Sequence, residues 1–514
     1  MRKTDPVSSL DAGWNSIRSV LGSDWLRGLF FVSCYAAFFV YAFAGLQSGH
    51  SWGDDFALYL LLAENILNGR PYETLVTGII VPPGFPLVLS VGIWLFGANF
   101  LKLKTINILA YGIVVLSTTK ICERLLGGVT ALLVPIILFL VPFYYYAQQS
   151  ILADVPFAAA ISAALYFYIE AARRIKSGEA FAAHAFFLGC AIWSALLLRP
   201  AGLPLIPAVV LAAAVDAFVD RSHMRGYAIL AATSVLAFLA SIAAFHSDSP
   251  SNSTMIIDYF LYSKTSFFET VSSLIQSRIV QEYQNLRILF FWYIGVPVWP
   301  VLTMAAFGCG WLVCTKKDFV LAAFTACYLG MLVLTPWTGG SRYLLPLLPA
   351  LCVFILSPLL FLFRASTTGH KDYRRISVLG LFVYFCLLLF VVKDMRAGTA
   401  LAHGVNADEI SDAKTVELFD WLKTHTAAGD VICSSKPRAV VYFSGHPGCG
   451  LDSALTELPK PFEPWMRKRK ATFAVLILRR GYVDVPLDEL LRDDKSVAEV
   501  FRNADYAVYK TATP

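Results

Sequence analysis

Two adjacent carboxylates, Asp54 and Asp55, stand in the stretch SWGDDFALYLLLAENILNGRPYE, directly after the first long apolar run. Neighbouring acids repel each other and cost free energy beside hydrocarbon. A helix N-cap accounts for one of them, because Phe56, Tyr59, Leu60, Ala63, Ile66 and Leu67 fall on one face of the helix that follows. It does not account for the second. A third acid, Asp154 in SILADVPFAAA, heads another apolar helix, where capping is again the plain alternative. Three cations stand out beside them: Arg199 in LLLRPAG, Lys264 in YFLYSKTSFF and Arg342 in TGGSRYLLPLLP. A cation entering a helix at its N-terminus gains nothing from the helix dipole, so Arg342 either snorkels to headgroups or holds an anion. Such a set can bind a phosphate whose lipid tail stays in the membrane, while a carboxylate takes a proton from an attacking hydroxyl. The departing phosphate leaves as an anion stabilised by arginine or lysine. Within the acid pair, like-charge proximity raises one pKa, which suits a base. A divalent cation bridging Asp55 and a phosphate is the alternative.

The elements that must position these residues are membrane helices. Of 514 residues, 57% are hydrophobic and only 15% charged, against about a quarter charged in a soluble globular protein. Apolar runs of spanning length fall at 28–46, 105–121, 128–148, 155–172, 182–198, 201–219, 227–246, 287–313, 319–336, 343–363 and 376–393, eleven in all. The segment 1–27 is polar to mixed, and the first run reads as an uncleaved signal anchor. The run 79–96 opens with VPPGFP, a poor start for a spanning helix and a good one for a helix lying at the interface.

Charge decides whether 79–96 crosses. If it does not, Arg27, Lys120, Arg124, Arg173, Arg174, Lys176, Arg221, Arg225, Lys316, Lys317 and Arg364 all fall on one side, as the positive-inside rule requires. The net charge of +6 then belongs to cytoplasmic loops and implies no nucleic-acid partner. Asp54 and Asp55, within an outer loop spanning 47–104, share the other side with Asp154, Arg199, Lys264, Arg342 and everything after Lys393. Polar residues that hydrophobicity does not explain thus collect on one face, which is expected of an active site at the outer membrane surface. The chemistry that these parts suit is glycosyl transfer from a lipid-phosphate sugar, which needs no nucleotide cofactor.

Residues 394–514 have ordinary charge density and read as a small α/β domain. TVELFDWLKTH and PRAVVYFSG pattern as helices, DVICSS and ATFAVLIL as strands, and VAEVFRNADYAVYK as a hairpin turned at Asn503-Ala504. Of ten cysteines, all but Cys433 and Cys449 lie in or beside apolar runs. These two could form a disulfide in an oxidising compartment or remain buried thiols in neighbouring segments, and the sequence leaves both open.

In order and content, GDDFALYLLLAENILNGRPY, VPPGFPLVLSVGIWLFGAN, SILADVPFAA, LLLRPAG and GGSRYLLPLLP resemble the GT-C glycosyltransferases, in the branch of the protein O-mannosyltransferases and the lipid A aminoarabinose transferase. The likeness covers roughly 28–365, inside a transmembrane catalytic region of 28–393. The compact loops point to a bacterial inner membrane, and the charge pattern puts the small C-terminal α/β domain on its periplasmic side, while the resemblance implies an α-helical polytopic fold. It also implies an inverting transfer from a polyprenyl-phosphate sugar to a glycolipid, glycan or protein acceptor. By resemblance Asp54 is the base, Asp55 its acidic neighbour, Asp154 the second-loop acid, and Arg342 the donor-phosphate ligand. The basic residue that the family often carries before its PPG-like segment is missing from TGIIVPPG, which shifts phosphate binding toward Arg342, Arg199 and Lys264. The rival readings are a polytopic transporter, which would place ionisable groups at the bilayer midplane, and a polymerase or ligase of lipid-linked glycans.

Overall fold

A computed structural model describes residues 24–73, 81–139, 141–244, 276–282, 284–285, 299–335, 340–367, 409–451, 462–479 and 484–511. The first helix, α1 (Asp24–Ala44), is followed by α2 (Asp54–Leu67), α3 (Gly84–Phe96) and α4 (Phe100–Leu126). Among the described residues six helices are long and apolar enough to span a membrane: Trp25–Ala44, Phe100–Leu126, Asp154–Lys176, Pro200–Val219, Arg221–Ala244 and Ser341–Pro358. The runs at 182–198 and 319–336 form shorter apolar helices. The expected span at 376–393 and the first part of that at 287–313 lie outside the described residues.

The run 128–148 is not one spanning helix. It breaks into α5 (Gly128–Ala131), α6 (Leu133–Phe139) and α7 (Pro142–Gln148). Pro135 and Pro142 carry no backbone N–H, so an uninterrupted ladder cannot run through them. Tyrosine hydroxyls satisfy carbonyls near the breaks: Tyr111 donates to the Leu138 oxygen at 2.8 Å and Tyr145 to that of Phe139 at 3.0 Å.

α8 (Asp154–Lys176) and α9 (Ala182–Leu198) pack side by side, and α8 also packs on α4. Beyond them run α10 (Leu205–Val219), α11 (Met224–Ala244), α12 (Trp299–Lys317), α13 (Phe319–Leu334) and α14 (Leu348–Thr367). A 3₁₀ turn, Ser341–Leu347, leads into α14 and rests against α8. With 13 residues, α3 rises only about 20 Å, well short of a hydrocarbon core of about 30 Å. It begins at Gly84, where a Cβ would come within 2.6 Å of the Leu197 backbone. Only glycine lets the PPG turn press against the end of α9, two residues before Arg199.

Lys104 is a structural cation. Its ammonium is buried and donates to the backbone oxygens of Gln47, at 2.8 Å, and Gly49. The same loop is held from the other side by Gln149, which donates to the Gly45 oxygen at 2.7 Å, and by the Ile151 N–H, which donates to the His50 ring at 3.0 Å. The loop before Asp54 and the loop before Asp154 therefore brace each other.

The C-terminal part forms a five-stranded sheet in the order β2-β1-β3-β5-β4, with β1 (Ile432–Ser434), β2 (Gly448–Gly450), β3 (Phe473–Ile477), β4 (Val497–Arg502) and β5 (Tyr506–Thr511). β1 is parallel to β2 and β3, and β4–β5 is an antiparallel hairpin that adds β5 to β3. The helices α15 (Ala413–His425), α16 (Pro437–Ser444), α17 (Glu463–Lys468) and α18 (Val485–Arg492) accompany it. Cys433 and Cys449 are register partners on neighbouring parallel strands, 4.4 Å apart at Cα, and they are joined as a disulfide.

Candidate active site

The sheet domain is fastened onto the loop that carries the acid pair. Trp52, 1% exposed, donates its indole N–H to the Tyr506 hydroxyl at 2.7 Å, and its backbone N–H donates to Glu409 at 2.7 Å. Its ring packs against Phe419 of α15 and Tyr506 of β5. Farther along α2, Glu64 accepts from the Tyr442 hydroxyl of α16 at 2.8 Å. These contacts lay α16 along α2 and bring Arg438, near the N-terminus of α16, to Asp55.

Asp55 is the meeting point of two distant cations. Arg342 donates to Oδ2 at 3.4 Å, and Arg438 donates to Oδ1. They lie 287 and 383 residues away in sequence. Burial pushes the Asp55 carboxyl upward, but the guanidinium groups of Arg438, Arg342 and Arg199 outweigh it and hold the carboxyl below its ordinary value. Behind it, Asp154 is 3% exposed and accepts from Arg199 at 2.7 Å. Arg199 and Arg342 both stand over the Tyr343 ring, at 5.3 and 5.4 Å from its centroid. The Tyr343 carbonyl accepts in turn from the Tyr328 hydroxyl at 2.9 Å. Tyr59 lies within the field of Asp55, Asp154, Arg199 and Arg342, and burial pushes its hydroxyl up to about 12, so it stays neutral.

Neither described acid serves as a cap. The N-cap of α2 is Gly53 and that of α8 is Ala153, and neither helix has a side-chain cap bond. Asp55 and Asp154 instead turn to arginines. Asp54 is the first residue of α2, and its side chain is not among those described. The Arg342 guanidinium reaches the Asp55 carboxylate. Lys264 lies outside the described residues. Arg438 was not legible as a site residue: KPRAVVYFSG reads as an ordinary amphipathic helix, and only a cation just inside its start hints at a partner.

The profile of the dolichyl-phosphate-mannose-protein mannosyltransferase family matches residues 81–245. That stretch runs from the PPG turn through α11 and contains both Asp154 and Arg199. ArnT from Cupriavidus metallidurans bound to undecaprenyl phosphate superposes with a TM-score of 0.56 at 15% identity, over 94% of this chain and 98% of that one. The chain has the GT-C glycosyltransferase fold. The oligosaccharyltransferase AglB from Archaeoglobus fulgidus, in complex with an inhibitory peptide and a dolichol-phosphate, is also similar, with a TM-score of 0.59 at 12% identity over 90% of this chain and 71% of that one. A complex of the A. fulgidus oligosaccharyltransferase with Zn and sulfate gives 0.55 at 13% identity over 84% and 64%. A comparison with curated proteins returns no match.

The side chains described around Asp55, which do not include that of Asp54, offer no ready metal site. Among the described residues no group of three or more His, Cys, Asp or Glu side chains is spaced to hold a metal ion. Both Asp55 oxygens already accept from guanidinium groups, and those cations would repel a divalent ion.

Proposed function

We propose that this GT-C protein transfers a sugar from a polyprenyl-phosphate donor to an acceptor hydroxyl at the outer face of the membrane, with inversion. The observation that carries this reading is the convergence of Arg342 and Arg438 on Asp55, beside the Asp154–Arg199 pair. Guanidinium groups are suited to a phosphate. The Nε of Arg199 is buried without a hydrogen-bond partner among the described residues, a further donor for a phosphate oxygen.

In this reading Asp54 takes the proton of the acceptor hydroxyl. The acceptor oxygen then bonds to the anomeric carbon from the face opposite the phosphate, as the bond from that carbon to the phosphate oxygen breaks. The electron pair departs with the polyprenyl phosphate, whose charge the arginines stabilise. Asp55 holds the arginines in place before the donor arrives. The lipid phosphates bound by ArnT and AglB support a lipid-phosphate donor. The ionisable groups sit at helix ends, with Asp154 opening α8 and Arg199 ending α9, which favours surface chemistry over transport through the midplane. The outer-face assignment rests on the positive-inside pattern, and that of a bacterial inner membrane on the compact loops.

The test is incubation of the reconstituted protein with labelled polyprenyl-phosphate sugars and a cell-envelope extract as acceptor. Label should move to a glycolipid, glycan or protein fraction and release polyprenyl phosphate. Failure across pentosyl and hexosyl donors, in protein that remains folded, overturns the reading.

A further inference from the structure

We infer that the C-terminal domain completes the donor site, with Arg438 as a phosphate ligand that exchanges Asp55 for the donor phosphate when the donor binds. This deepens the proposed function and rests on it.

Two features carry the inference. Arg438 is built into place: it lies near the start of the eight-residue α16, its side chain is only 17% exposed, and α16 is tied to α2 by the Tyr442–Glu64 bond. The domain behind it is anchored by the buried Trp52–Tyr506 bond, and Tyr506 shares its hydroxyl with Thr415 at 2.7 Å. Second, Arg438 and Arg342 approach separate oxygens of one carboxylate, with the two cations supplied by different parts of the fold. Two guanidiniums converging on a small oxyanion are arranged as a phosphate needs them. A phosphate brings more charge and more acceptor oxygens than a carboxylate, so it competes well for both.

The exchange makes and breaks no covalent bond. Asp55 gives up Arg438, the phosphate takes it, and Asp55 remains ionised beside Arg342. The C-terminal domain is then part of the site rather than only a platform for acceptors.

The experiment is a binding titration of undecaprenyl phosphate against the full chain in nanodiscs, for the parent, Arg438→Gln, Arg438→Lys, Arg342→Gln and Arg467→Gln. Arg467, 59% exposed on α17, serves as the control. Loss of one charge-assisted contact should weaken binding about tenfold or more in Arg438→Gln and Arg342→Gln. Arg438→Lys should recover part of the loss, and Arg467→Gln should match the parent. Thermal melts confirm that each variant is folded. Parent-like affinity in Arg438→Gln, with Arg342→Gln weakened, overturns the role of Arg438 and leaves the donor reading standing. No binding by the parent overturns the donor reading and this inference with it.

Discussion

The two ends of the helical region both gather charge, but they do so differently. At the end holding the basic loops, Glu170 is met by Arg124, Arg173 and Arg174, and Lys176 pairs with Asp216. Two of the Glu170 contacts are one helical turn apart in sequence, and its arginine partners are 31–46% exposed. At the other end, Asp55 and Asp154 are met by Arg342, Arg438 and Arg199 across long sequence separations, and the arginine side chains are 11–33% exposed. At the basic end the carboxylates are buried, but their cations are largely exposed and keep water as an alternative partner. Partly buried cations drawn from three separate regions require the whole fold to hold them. A protein has little reason to assemble such a group for stability alone, because a buried ion pair is a weak source of it.

The comparison can be broken or sharpened by substitution. The largest effect is expected from Asp154→Asn, which leaves Arg199 buried and unpaired. Breaking a buried pair this way should cost about 3–5 kcal/mol, read as a lowered melting temperature. An unchanged melting temperature would mean that the Asp154–Arg199 pair is as dispensable as those at the basic end. Asp54→Asn should leave folding and donor binding intact and lower turnover by roughly two orders of magnitude or more, as removal of a general base does. Near-parent turnover would remove Asp54 from the chemistry.

A smaller effect is expected in acid. The Asp55 carboxyl is depressed in the folded protein, so its ion pairs stabilise the fold above the ordinary carboxylate range, and that stability is lost as pH falls through the depressed value. Arg438→Gln removes one cause of the depression, so the loss should begin at higher pH than in the parent. Melting temperatures followed from pH 6 downward, with Asp55→Asn as the background in which the difference disappears, check the sign. The smallest effect belongs to Glu170→Gln at the basic end. Its carboxyl is buried but its arginine partners can turn to water, so the loss of stability should be smaller than for Asp154→Asn and turnover should not change. A loss of turnover there would show that the two ends are coupled.

The acids and cations named from the sequence meet in the structure wherever their side chains are described. Asp55, Asp154, Arg199 and Arg342 were legible because apolar helices leave few reasons for a charge. Each such residue stands out against its background. The hairpin over β4 and β5 was legible from its alternation and its turn residues. Arg438 stood in a segment of ordinary polarity, where one more arginine carries no signal. The break of 128–148 into three pieces was harder to see, since its prolines sit in a run that is apolar throughout.

The sequence by itself determined that this chain is a polytopic helical membrane protein with a small α/β region after it. It also determined which charges are out of place, because hydropathy, periodicity and turn chemistry act over a few residues at a time. Tertiary structure alone decided that Cys433 and Cys449 are bridged, since a disulfide needs Cα atoms within about 7 Å and not merely neighbouring segments. It also decided which cation meets which acid. Arg342 and Arg438 come to the same carboxylate because the 3₁₀ turn before α14 and the start of α16 both end beside α2. Ion pairing depends on distances of a few ångströms, and such distances between residues hundreds of positions apart exist only once the chain has packed.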